Sequence, residues 1–259
     1  MKRWKKFLFI ILAAIIIIFA GMSLGFSYSV TSEELNNRFV VSNPLDLSQI
    51  VAFSTYRSCA GHDFRGPVAS TGKFEDTPRS MKHYVKVLPE LHGQNGVVKA
   101  LAPFDGKIYD VDDDAGGPGD QAIWLAPNTK SPRQWQFIFF HIDLDDSLKK
   151  GSEIKAGQLI GTANMTRGQS EGTDNFDIAV KFMRPMHRPA VDEPFAHMAS
   201  NVLAEYAKYG ITQTNVVIPK EKRDARPCPT ISKPEWASGD DAYFPAQWSA
   251  DDIIWLKTK

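Results

Sequence analysis

Two stretches decide the fold: Phe137-Ile138-Phe139-Phe140-His141-Ile142 and Asn175-Phe176-Asp177-Ile178-Ala179-Val180. The first is apolar and β-prone, with one histidine near its end. The second alternates. A strand through it puts Asn175, Asp177 and Ala179 on one face and Phe176, Ile178 and Val180 on the other. One face packs, and the other is free for polar chemistry. Between them Gly151, Gly157 and Gly161 recur at turn spacing among short strands.

Working outward, Ser48 to Thr55 reads as a strand leading into Tyr56-Arg57-Ser58-Cys59-Ala60-Gly61-His62-Asp63-Phe64. Residues 65–97, with Gly66-Pro67, Gly72, Pro78 and Gly93, read as a loop-rich insertion in which Arg79 to Tyr84 forms a short helix or strand. Residues 98–126 read as two strands around the acidic turn Asp110 to Asp114, a solvated hairpin tip without the spacing of a calcium loop. Glu193 to Tyr209 has helical apolar spacing, and Gly210 is placed to cap it. Beyond residue 219 the chain is rich in proline and charge. Trp236, Tyr243, Phe244, Trp248 and Trp255 give that tail enough aromatic mass to pack back on the body.

The ordered set Ala102-Pro103-Phe104-Asp105-Gly106-Lys107-Ile108, Phe140-His141-Ile142 and the 148–161 glycine run resembles the core of LytM/lysostaphin-type zinc metallopeptidases over roughly residues 45–195. The resemblance implies a mainly β fold, an antiparallel sheet or β-sandwich hybrid with a groove. In that family a His and an Asp of a His-x-Gly-x-Asp turn, with the second His of a His-x-His strand, hold zinc. The first His of that pair and a His on a further strand serve in catalysis. Carried over, Cys59-Ala60-Gly61-His62-Asp63 matches the turn, with Cys59 at the histidine and Asp63 kept. His141 is kept. Asn175 stands at the catalytic histidine and Asp177 at the liganding one.

Three function readings follow. Catalytic zinc needs three protein ligands and an open position. A set of Cys59 (if reduced), Asp63 and Asp177 would bring up to three negative charges and a weak Lewis acid, and Asn175 cannot take a proton. The first reading is therefore a degenerate site that binds peptidoglycan or an envelope protein. The second is a divergent zinc endopeptidase with a rewired site using His62, Asp63, His141 and Asp177, with His83 folded over the groove. Against it, His62 reads first as a structural hydrogen-bonded residue. The third is a carrier-type or adaptor β-sandwich without groove chemistry. Arg57, Arg65, Arg79 and Lys82 cluster near the turn and read either as lining the groove with positive charge, suited to a carboxylate- or phosphate-bearing ligand, or as a solvated face. His92, His187 and His197 read as surface or packing residues.

Composition sets the compartment. The chain has 259 residues and 43% hydrophobic content, enough for one sizeable domain with attachments. Four of its 30 basic residues are Lys2, Arg3, Lys5 and Lys6, whereas all 30 acidic residues lie at or beyond Glu33, so the body is net −4. That argues against nucleic acid as a partner. Residues 7–26 carry no charge, and twenty helical residues span roughly 30 Å, one bilayer core. With its basic flank this run reads as a membrane anchor with the body outside the cytoplasm. The alternative is a cleaved signal peptide ending near Ser27 or Ser29. In an oxidising compartment the two cysteines, Cys59 and Cys228, invite a disulfide. The expected organisation is flank and anchor over 1–26, a tether over 27–44, the β domain over 45–195 with the 65–97 insertion, and a helix with an irregular tail over 196–259.

Overall fold

The computed structural model describes residues 11–13, 29–167, 171–233 and 241–257. The apolar run 7–26 lies outside them apart from 11–13, and Trp236 also lies outside. Among the described residues no helix is long and apolar enough to cross a membrane.

The architecture is mainly β and antiparallel. The strands are β1 Ile50–Ser54, β2 His83–Val87, β3 Lys99–Leu101, β4 Gly106–Asp112, β5 Ala122–Pro127, β6 Gln134–Phe140, β7 Ile142–Leu144, β8 Glu153–Ile154, β9 Leu159–Ala163, β10 Asn175–Met183, β11 Ala190–Asp192 and β12 Ile253–Trp255. A nine-stranded sheet runs β12-β1-β2-β10-β6-β5-β4-β8, with β11 added to β10 past the end of β2. A three-stranded sheet runs β3-β9-β7. Among the described residues beyond 29 the α-helices are short: α1 Ser32–Leu35, α2 Ser200–Ala207 and α3 Lys220–Ala225.

The two stretches that open the sequence reading sit side by side. β10 pairs with β6 from Asp177↔Phe140 to Met183↔Gln134. Phe137, Phe139, Phe176, Ile178 and Val180 are buried in one core with Ile142 and Ile160 of the small sheet and Phe195 and Tyr206 beyond it. The opposite face of β10 is buried as well at Asp177 and Ala179, because other segments cover it.

Chain and sheet part company at His141. β6 belongs to the large sheet and β7 to the small one, and the residue between them takes φ +63°, a left-handed conformation costly outside glycine. One bend thus serves both sheets and fixes the histidine's place.

Three expectations are corrected. The 65–97 segment is not merely a loop-rich insertion: its residues 83–87 form β2, between β1 and β10. Tyr84, Val85 and Val87 are good strand formers, and the proline and glycine of this segment flank them. The helix expected over 193–209 is broken. A 3₁₀ turn, Pro194–His197, is followed by extended backbone and only then by α2. The break has a tertiary cause: Val40 lies alongside, donating its N–H to His197 O at 3.0 Å and accepting from Ala199 N at 2.8 Å. The same contact draws the expected tether inward, so that Phe39 and Val40 are buried. Gly210, at φ +77°, follows α2 as its position predicts.

The tail packs on the body. β12 extends the sheet at β1, Trp248 lies 5.7 Å from the Tyr84 ring, and Phe244 packs on the Cys59–Cys228 disulfide.

Phe139 is fully buried in the shared core. Phe139→Ala is expected to cost about 3–5 kcal/mol in urea denaturation, and Ile231→Ala, at a half-exposed position, less than about 0.5 kcal/mol.

Candidate functional site

The site is a chain of polar contacts on the β2–β10–β6 face. Pleating decides which residues of β2 reach it. Tyr84 lies opposite Asp177, so Lys82 shares its face and His83 points the other way. His83 is accordingly fully buried on the core side, bonded to Ser54 O at 2.6 Å and Glu193 Oε1 at 3.0 Å. The expectation that His83 lines the groove is therefore corrected. Its neighbour Lys82 enters the site instead.

Lys82 Nζ donates to Asp177 Oδ2 at 2.6 Å, and both side chains are almost wholly buried. The ammonium also lies 3.1 Å from His62 Nε2 and within 4.8–5.1 Å of the Tyr84, Phe140 and Phe64 ring centres. A lysine ammonium only donates, so His62 Nε2 accepts and the proton sits on Nδ1, aimed at Asp63 O 3.1 Å away. On the other side His141 Nε2 lies 3.4 Å from Asp177 Oδ2 and His141 Nδ1 2.5 Å from Asp120 Oδ2. Arg167 donates to Asn175 O and adds positive charge near Asp177 and Asp120. Burial alone would raise the Asp177 pKa. Lys82, His141 and Arg167 outweigh it and hold the carboxylate well below its usual range. Burial, then the Lys82 charge, lowers His62 to about 4.

The carried-over residues are dispersed among different tasks. Cys59 is bonded to Cys228, with Cα atoms 5.3 Å apart, so the pairing expected from the cysteine count is present and no thiolate is left as a ligand. Cys59 Sγ accepts from Arg223 at 2.8 Å. Asp63 is gripped by Arg65 through Nε and Nη2 at 2.8–3.0 Å and by Arg79 N at 3.1 Å. Asn175 Nδ2 turns to Asp174 Oδ1 at 2.7 Å. The arginines do not line a positive groove as expected: Arg57 and Arg79 both bind Glu75, and Arg79 also binds Asp224. Of the expected set, His62, His141 and Asp177 come together.

This donor set does not fit the zinc centre that the resemblance implies. One position is oxidised, the second is held by the Arg65 guanidinium and the Arg79 backbone N–H, and the third carries an ammonium that offers no lone pair while protonated. Among the described residues no three His, Cys, Asp or Glu side chains are grouped as a metal would require.

The turn 59–63 is shaped by Gly61, at φ +63°, where a Cβ would fall 1.9 Å from Tyr84 Oη. Sequence reasoning missed Asp120 and Arg167. Asp120 could have been found only from the β5–β6 register: Ala122 pairs with Phe140, and His141 N donates to Gln121 O at 2.8 Å. Arg167 offers no such signal.

No protein-family model and no curated protein matches this chain. Among solved structures, a proposed glycyl-glycine endopeptidase, lytM, from Ruminococcus gnavus ATCC 29149 aligns with 17% identity and a TM-score of 0.31. The alignment spans 44% of this chain and 44% of that one.

Between pH 6.5 and about 4 the unfolded chain protonates His62 while the native state resists. Native stability therefore falls as pH drops through that window. Urea midpoints at pH 7 and pH 4.5 are expected to differ less in His62→Gln than in the wild type.

Proposed function

We propose that this chain is a peptide-binding protein of the cell envelope, built on a LytM-like fold, whose site recognises peptidoglycan or a protein partner without hydrolysing it. The observation that carries the reading is Lys82. Its ammonium stands 2.6 Å from Asp177, the carboxylate at a position where the resemblance places a zinc ligand, so the site's positive charge comes from the chain itself. The Cys59–Cys228 bond removes a second ligand position, and Asn175 offers no base.

The envelope setting is supported by the disulfide, which suits an oxidising compartment, and by the charge-free run 7–26 behind its basic flank. In this reading the run anchors the chain and the body faces outward. The competing reading, a divergent zinc endopeptidase, keeps one point in its favour: His62 and His141 reach the same Lys82–Asp177 pair from two sides.

The full chain, solubilised in detergent and purified without chelator, distinguishes them. The expected result is retention on insoluble peptidoglycan or on a defined envelope protein, zinc well below one per chain, and no new products from cross-linked wall peptides. One zinc per chain, lost in Asp177→Ala together with peptide hydrolysis, would establish the endopeptidase.

A further inference from the structure

Two more side chains on the site face have polar atoms with no hydrogen-bond partner among the described residues. Gln136 is fully buried, and both its Oε1 and its Nε2 lack a hydrogen bond. Unbonded buried amides are rare in native structures and call for a reason. Its direct neighbour across the β6–β10 ladder is Lys181. Directly opposed residues have Cβ atoms about 4.5–5.5 Å apart, on the same face. The register Asp177↔Phe140, Ala179↔Ile138, Lys181↔Gln136 puts this pair two steps along from the Lys82 site, on the face that carries Asp177.

The Lys181 side chain makes no hydrogen bond or ion pair with any described residue, although the neighbouring cations are matched. Lys82 is matched by Asp177, Lys86 by Asp174 and Arg65 by Asp63. What Lys181 does have is an aromatic platform, with its Nζ 4.7 Å from the centre of the Phe64 ring. Lys82 lies on that same ring at 5.1 Å, so two ammonium groups share one aromatic side chain and repel each other. Burial, then the Lys82 charge, brings the Lys181 pKa down to about 8. Phe140 and Trp124 extend the aromatic wall, their ring centres 6.2 Å apart. Phe64, Phe140, Trp124 and Lys181 are all partly exposed and form an open rim, with Gln136 fully buried at its floor.

We infer that Lys181 and Gln136 form a receiving site for a single carboxylate of a bound peptide, with Phe64, Phe140 and Trp124 as its apolar wall. The ammonium balances one negative charge, and the Gln136 amide supplies a donor to the second oxygen and an acceptor to an adjoining peptide N–H. A phosphate dianion fits less well, because one ammonium leaves half its charge unmatched and the site offers no guanidinium fork. The assignment names the ligand chemistry of the peptide-binding reading above and rests on that reading for the ligand being a peptide.

The test uses the full chain in detergent with two probes, N-acetyl-alanyl-alanine and its C-terminal amide. Affinity is measured by calorimetry, and Lys181 acylation by acetic anhydride is followed by mass spectrometry. The acid is expected to bind at least about tenfold more tightly than the amide and to slow Lys181 acylation. Lys181→Met should abolish the preference, Lys181→Arg should keep part of it, and Gln136→Leu should weaken it. Lys181→Met should melt at or above the wild-type temperature, since it removes an unmatched ammonium, which separates lost recognition from lost folding. Equal binding of acid and amide, or a preference that survives Lys181→Met, overturns the carboxylate site while leaving peptide binding intact. If neither peptide binds but acetate still protects Lys181 from acylation, the carboxylate site stands and the peptide-binding reading falls.

Discussion

The site is organised by one buried ion pair, Lys82 with Asp177. Neither group could be buried alone. An isolated ammonium or carboxylate costs several kcal/mol to desolvate, and the mutual attraction recovers that cost only when geometry and further contacts are good. Here the carboxylate also faces His141, and the ammonium faces His62 and three aromatic rings. The pair ties the start of β2 to its neighbour β10 in the large sheet, and two histidines gather on it. A divalent cation can polarise a carbonyl and acidify water, whereas an ammonium supplies charge and hydrogen bonds only.

The elements around the pair reinforce it from two directions. The left-handed bend at His141, where the chain passes from one sheet to the other, puts the imidazole between Asp120 and Asp177. The tail closes the other side: Asp63 N donates to Ala242 O at 2.7 Å, Phe244 N to Gly61 O at 2.9 Å, and Trp248 stands against Tyr84. The Cys59–Cys228 bond fastens the segment leading into this tail to the turn that carries His62 and Asp63, joining residues 169 apart in sequence. The turn, the tail and the ion pair therefore form one packed unit.

Much of the fold was legible because it depends on local pattern. The apolar run 137–142 and the alternation of 175–180 are strand signals that need no partner to be read, and they place Asp177 on the site face. The disulfide was legible from the cysteine count. What could not be read depends on register and on distant chain. A shift of one residue along β2 exchanges His83 for Lys82 at the site, and sequence inspection cannot fix that register when β2 is set among loops. Asp120 reaches His141 only through the β5–β6 pairing. The break at Met198 and Ala199 is imposed by Val40, far away in sequence, against a helical apolar pattern. Gln136 and Lys181 read as ordinary polar residues of two strands until their pairing is known.

The most direct measurement is a double-mutant cycle on Lys82 and Asp177, followed by urea denaturation at neutral pH. Lys82→Met and Asp177→Leu alone each leave one buried charge uncompensated and are expected to cost about 3–5 kcal/mol. Together they remove both charges, and the double variant should recover most of the loss, giving a large coupling energy. Additive losses, with the double variant as unstable as the sum of the two, would contradict the account and mean that the pair does not hold the site together.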